Sequence, residues 1–202
     1  ENVKLTFEGT KQIRSKNVQY NTGFLLPAGT YHVKFVVREN ENGRMGSFET
    51  DIVVPDLRKQ PLKMSSVVLA SQQVPTSAKR AQNPLIRNGQ ELIPNVAHVF
   101  VNGQPLMFYF EVYDAAKPKT QEGDSKETKR GSVRLLSSVQ FFRGKVKVYE
   151  TPLVEVREVA YPDRKAAAFQ LEVPSTELKP GWYTCQINVI DSIASKFAFP
   201  RL

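Results

Sequence analysis

The strongest constraint on this chain is a phrase it uses twice. "LLPAGTYHVKFVV" (Leu25 to Val37) and "ELKPGWYTCQINVI" (Glu177 to Ile190) align Leu26 with Leu178, Gly29 with Gly181, Tyr31 with Tyr183 and Val37 with Val189, and a proline precedes each glycine. After each tyrosine the apolar residues recur at every second position: Tyr31, Val33, Phe35 and Val37 in the first copy, Tyr183, Cys185, Ile187 and Val189 in the second. A period of two sends alternate side chains to opposite faces, so both copies read as half-buried antiparallel strands. Other runs behave alike: "VKLTFEG", "SKNVQY", "SFETDIVV", "MSSVVLA", "HVFV", "LMFYFEVYD", "VRLLSSVQFF", "KVKVYE", "LVEVREVAY" and "AAFQLEV". Asn102-Gly103 and Arg143-Gly144 are tight-turn signals between such runs. "SAKRAQ" is too short for a helix, and the chain reads as all-β.

A strand, then Leu-x-x-Gly-x-Tyr, then an alternating strand is the layout of the corner joining strands E and F of an immunoglobulin-like sandwich. Gly29 and Gly181 are expected to supply the backbone conformation there. Tyr31 and Tyr183 are expected to turn their rings inward and bond their hydroxyls back to the backbone. Two corners predict two immunoglobulin-like antiparallel β-sandwich domains in tandem. Residues 1–56 form a partial sandwich, incomplete at its N-terminus, because about four strands leave half a core open. Its missing strands would lie upstream, come from another molecule, or be replaced by packing on the second domain; the upstream reading is preferred. "VVPDLRKQPLKM", with two prolines and four charges, places a linker at 57–61. Residues 62–202 form the complete sandwich. It carries a long loop at 71–95, whose Leu85, Ile86, Leu92 and Ile93 should lie on the sandwich, and a polar, mobile loop at 115–131.

The sequence offers little chemistry. The 202-residue chain carries a formal charge of +8, but the basic residues are scattered through expected turns, so nucleic acid is not an expected partner. No apolar run reaches the roughly 20 residues of a membrane-spanning helix. "ENVKLTFEG" lacks the basic start and apolar stretch of a signal peptide, so a signal would have been removed or would lie further upstream. The single cysteine, Cys185, falls two residues after Tyr183 with no partner to bridge, and reads as a buried, unreactive thiol. His32 and His98 each fall within an expected strand, His32 exposed and His98 among apolar residues. No nucleophile–base arrangement, zinc motif or phosphate loop accompanies them. "QEGDSKE" (Gln121 to Glu127) gathers three carboxylates but interleaves a lysine and lacks the oxygen spacing of a calcium loop. Glu39 and Glu41 read as turn residues. No catalytic residue, metal or cofactor is therefore expected. Trp182 should face outward if Tyr183 points in, with Tyr161 as a companion for a glycan or a protein. Arg80 and Arg87, in the long loop, are further candidates for partner contact.

Across nearly its whole length the chain also resembles the C-terminal region of bacterial von Willebrand factor A-related proteins. The resemblance lies in "LPAGTYHVKFVVRENENGRMGSFETDIVVPDL", "KMSSVVLA", "NPLIRNGQELIPNVAHVF", "LMFYFEVYD" and "DRKAAAFQLEVPSTELKPGWYTCQINVIDSIASKFAFPRL". It implies an exported protein whose signal peptide and A-type domain precede this region, and it brings no catalytic residues. The Asp-x-Ser-x-Ser metal motif of A-type domains does not occur, so their metal-dependent adhesion is not carried over. The expected function is a non-enzymatic extracytoplasmic spacer and protein-interaction module of a cell-surface or secreted protein. Its partner would be a protein or a cell-envelope polymer. One alternative is a structural subunit that self-associates through sheet edges by strand complementation; another is a carbohydrate-binding module.

Overall fold

A computed structural model of the chain describes residues 22–40, 42–77, 83–118 and 132–202. The chain divides into two compact units at the Asp56–Leu57 junction. In the first, β1 (Gly29–Arg38) and β2 (Met45–Val54) form an antiparallel hairpin running from Gly29 opposite Val54 to Arg38 opposite Met45. The amide of Glu39 donates to the Arg44 carbonyl at 2.8 Å, and Asn42 donates to the Glu39 carboxylate, which gives Glu39 a turn role. The Tyr31 hydroxyl donates to the Pro27 carbonyl at 2.8 Å. Phe35 stacks on its cross-strand neighbour Phe48 at 6.4 Å. The expected strands "VKLTFEG" and "SKNVQY", and Glu41, lie outside the described residues.

The second unit is an antiparallel β-sandwich. One sheet has the order β10 (Ala166–Pro174), β6 (Pro105–Tyr113), β3 (Val68–Pro75), β5 (Gln90–Pro94), β4 (Ile86–Arg87). The other runs β12 (Lys196–Ala198), β11 (Thr184–Asp191), β7 (Ser132–Arg143), β8 (Val146–Glu150), with β9 (Val154–Glu158) also paired to β7. Helical structure among the described residues is confined to three-residue 3-10 turns. Between the sheets, Phe110 stacks on Phe169 at 5.0 Å, and Phe141 meets Phe108 edge-on at 6.0 Å. Cys185, Ile187 and Val189 reach this core from β11, Leu135 and Val139 from β7, and Phe108, Phe110 and Val112 from β6. At about 25 cal/mol per Å² of apolar surface, each of these large side chains contributes about 1.5–3 kcal/mol by leaving water.

β6 departs from simple alternation, because nearly all of it is buried. Its Phe108, Phe110 and Val112 face the other sheet, while Met107 and Tyr109 join Ala70, Leu92 and Ala168 in a second cluster on the outer face. Part of the segment 71–95, expected as one long loop, is strand instead: β3 runs on to Pro75, and β4 and β5 add two strands to the edge of the same sheet through the Asn88-Gly89 turn, while residues 78–82 lie outside the described residues. Its apolar residues make this possible, since Ile86 and Leu92 are buried and Leu85 packs against the cluster. Buried Glu111 sits on the same face and accepts from the Tyr109 hydroxyl at 2.5 Å and from Arg164 at 2.6 Å. A buried carboxylate needs such partners to offset its lost hydration.

Two further expectations change. "HVFV" is not a strand: His98 is exposed, with a φ of 53°, in a turn where the Asn95 side chain donates to the Val99 carbonyl. Gly29 does not have a positive φ, and an added Cβ would meet only the Tyr31 ring, at an ordinary 3.6 Å. Gly181 has a φ of 151°, which favours glycine, and an added Cβ there would displace the flexible end of the Arg143 side chain. Of the mobile loop expected at 115–131, residues 119–131 lie outside the described residues. Before them, the Ala116 amide donates to the Asp191 carboxylate at 2.8 Å.

Candidate functional site

The corner between β10 and β11 shapes one end of the sandwich. The Tyr183 hydroxyl donates to the Lys179 carbonyl, which folds residues 179–182 outward as a lip. Because Tyr183 and Cys185 turn toward the core, the period of the strand sends Trp182 the other way, and it is 90% exposed. Arg143, at the end of β7, braces this lip. Its guanidinium donates to the Pro180 carbonyl at 2.6 Å and lies over the Tyr183 ring at 5.2 Å. The opposite lip is the turn segment containing His98, Phe100 and Asn102. The Gly103 amide ties it to the 3-10 turn after β10 by donating to Ser175 Oγ at 2.8 Å.

Between the lips lies a cleft of about 480 Å³. Leu69, Leu106, Phe141, Leu178 and Cys185 form an apolar floor, and His98, Asn102, Lys179 and Thr184 supply polar groups around it. That size and that mixture suit an apolar group with polar substituents, such as a side chain or a ring. The cleft does not suit nucleophilic chemistry through Cys185. Burial pushes its thiol up to about 11, the opposite of the shift that activates a cysteine. The chain enters this unit at the other end of β6, where Met64 bridges Val112 and Lys63 pairs with Asp114 at 2.8 Å.

The sequence-predicted residues do not converge. Tyr161, expected as a companion of Trp182, lines a separate groove of about 830 Å³ together with Arg87. That groove runs between β4 and β9 and is charged: the Glu155 carboxylate accepts from Arg157 at 2.8 Å and Arg134 at 3.0 Å. Arg157 first, and then Arg134, hold the Glu155 carboxyl below its ordinary range. Arg80 and the acidic stretch Gln121 to Glu127 lie outside the described residues. In the first unit, exposed His32 is held between Asp51 at 2.7 Å and Glu49 at 3.2 Å. Its pKa is raised, by Asp51 above all. The sequence reading takes His98–Val101 as a strand and so misses the second lip, although turn formers bracket it: Pro94-Asn95 before and Asn102-Gly103 after.

Among the described residues no group of three or more His, Cys, Asp or Glu side chains is placed to hold a metal ion. No described helix is long and apolar enough to cross a membrane. No family model, curated protein or solved structure matches the chain.

Proposed function

We propose that this chain is a non-enzymatic spacer and interaction module of an exported bacterial protein, and that it meets its partner at the Trp182 cleft. The observation that carries the reading is the placement of an exposed tryptophan over an apolar cleft, at the end of the unit opposite the one where the chain enters. Along β6, at about 3.4 Å per residue, those ends stand roughly 27 Å apart. Tryptophan is among the residues enriched in interface hot spots, where it fills or flanks a pocket on the partner or on its own surface. The strand order supports an immunoglobulin-like assignment: β3, β6 and β10 take the places of A, B and E, and β7, β11 and β12 those of C, F and G. The exported setting follows from the resemblance to von Willebrand factor A-related proteins.

Trp182 is the chain's one tryptophan, so its fluorescence reports on this cleft alone. Titration with envelope proteins, peptidoglycan fragments and oligosaccharides should give a saturable blue shift and protection from quenching with one class. Trp182→Ala should weaken that binding at least about tenfold. Unchanged quenching with every class, and binding indifferent to Trp182→Ala, would reject the reading. A response to oligosaccharides alone would favour a carbohydrate-binding module. Strand complementation is favoured by a different observation, the exposed Phe35, Val37, Phe48 and Val53 of the β1–β2 hairpin.

A further inference from the structure

We propose that Asn88, in the turn between β4 and β5, is a site of spontaneous conversion to aspartate and isoaspartate, and that the change remakes one wall of the groove between β4 and β9. The proposal is independent of the Trp182 cleft and of the interaction-module reading. The sequence holds three Asn-Gly steps: Asn42-Gly43, Asn88-Gly89 and Asn102-Gly103. Glycine has no side chain to shield its own amide nitrogen, so each step is open to ring closure. The glycine nitrogen gives up its proton and attacks Cγ of the asparagine. The N–Cγ bond forms, the Cγ–Nδ2 bond breaks, and Nδ2 leaves as ammonia with the displaced proton. Water then opens the cyclic imide at either carbonyl. The chain continues through Cα as aspartate or through Cβ as isoaspartate, and no oxidant or cofactor takes part.

The structure separates the three steps. The nitrogen must be free to attack, and the side chain free to reach it. At Asn102-Gly103 the Gly103 amide is engaged with Ser175 Oγ at 2.8 Å. At Asn42-Gly43 the Asn42 side chain is tied back to both carboxylate oxygens of Glu39, at 3.1 and 3.3 Å. At Asn88-Gly89 neither restraint exists among the described residues, and both residues are exposed. The turn itself favours closure. Asn88 and Gly89 have φ of 50° and 71°, the two positive values of a type I′ turn, between the paired residues Arg87 and Gln90. The cyclic imide matches a type II′ turn, which keeps the positive φ at Asn88 and needs only the 88–89 peptide to flip. Gly89, without a Cβ, accepts the new conformation.

The groove lined by Arg87, Asn88, Gly89, Glu155 and Arg157 thereby gains a carboxylate in place of a neutral amide. Aspartate changes the charge and keeps the backbone. Isoaspartate also adds a methylene carbon to the main chain, which a two-residue turn does not accommodate. Two bonds depend on that turn: the Thr76 amide donates to the Gly89 carbonyl at 2.9 Å, and the Leu92 amide to the Leu85 carbonyl at 3.1 Å. β4 is two residues long and, among the described residues, pairs with β5 alone. Loss of ammonia makes the change one-way, so this wall of the groove alters with the age of the molecule.

The test incubates the full chain in mildly alkaline buffer at physiological temperature. Each Asn-Gly step is followed by peptide mass mapping, with electron-transfer fragmentation to tell isoaspartate from aspartate. In the folded chain Asn88 should react about tenfold faster than Asn42 or Asn102, the equivalent of one hydrogen bond that must first open. In denaturant the three rates should converge. Ser175→Ala, which frees the Gly103 amide, should speed conversion of Asn102 and leave that of Asn88 unchanged. The purified isoaspartate form should lose hydrogen-exchange protection at Thr76 and Leu92, whereas fresh Asn88→Asp should keep it. Folded-state rates that are equal at the three steps, or fastest at Asn42 or Asn102, would overturn Asn88 as the site. An Asn102 rate indifferent to Ser175→Ala would overturn the basis on which the structure selects among them. Full protection in the isoaspartate form would overturn the remodelling of the groove.

Discussion

The two copies of the repeated phrase have the same local geometry and opposite surroundings. In both, the tyrosine hydroxyl reaches the carbonyl four residues back, Pro27 for Tyr31 and Lys179 for Tyr183. In the second copy the residues that follow, Cys185, Ile187 and Val189, are buried in the sandwich core. In the first, Phe35 is 44% and Val37 71% exposed among the described residues. The corner is thus closed by bonds within a few residues of chain. Burial of the strand after it depends on what packs against it. A sequence phrase can carry the first property without carrying the second.

The largest effect that would break this comparison concerns the aromatic pairs. Phe169→Ala, in the stacked Phe110–Phe169 core pair, should lower the stability of the second unit by about 3–5 kcal/mol in chemical denaturation. Phe35→Ala, in the exposed Phe35–Phe48 pair, should cost under about 1 kcal/mol. A cost for Phe35→Ala as large as that in the core would mean that the hairpin face is covered in solution.

The glycines come next. Gly181→Ala should cost about 1–3 kcal/mol through its positive φ, since the Arg143 guanidinium is the end of a flexible side chain and can move aside. Gly29→Ala should stay within about 0.5 kcal/mol of the parent. The tyrosines should then behave alike, Tyr31→Phe and Tyr183→Phe each losing about 1 kcal/mol, since the corner bond is local in both. Unequal losses would show that burial contributes to the bond after all.

Two titrations sharpen the contrast at the smallest scale. Cys185 holds its proton to about 11 in the folded chain. The stability this contributes is complete below the ordinary thiol range and is lost as pH rises through the folded value. A thiol reagent at about pH 8 should therefore leave Cys185 untouched until denaturant is added. His32, raised first by Asp51 and then by Glu49, should show an imidazole titration midpoint above the ordinary histidine value by NMR. Its contribution is present below the ordinary value and fades as pH rises through the raised one. Asp51→Asn should lower that midpoint, because Asp51 is the larger of the two causes.

The all-β character is legible in the sequence wherever one face of a strand is buried and the other wet, as in β11. It is less legible in β6, where "LMFYFEVY" is covered on both sides and the alternation disappears. The outward position of Trp182 follows from the period of the strand behind Tyr183. The separation of Trp182 from Tyr161 does not, because it depends on β4 and β9, from different sheets, lining one groove. "HVFV" misleads because its composition favours a strand while Asn95, with its own bond to the Val99 carbonyl, offers the backbone a turn instead.

The turn that follows β11 has a consequence for engineering. Its Asp191 carboxylate holds the amide of Ala116, and its Ser192 holds the Arg134 carbonyl through both amide and hydroxyl, at 3.1 and 2.8 Å. One turn thereby moors the chain just after β6 and again near the start of β7. Engineering that alters Asp191 and Ser192 would therefore release the chain at both moorings at once.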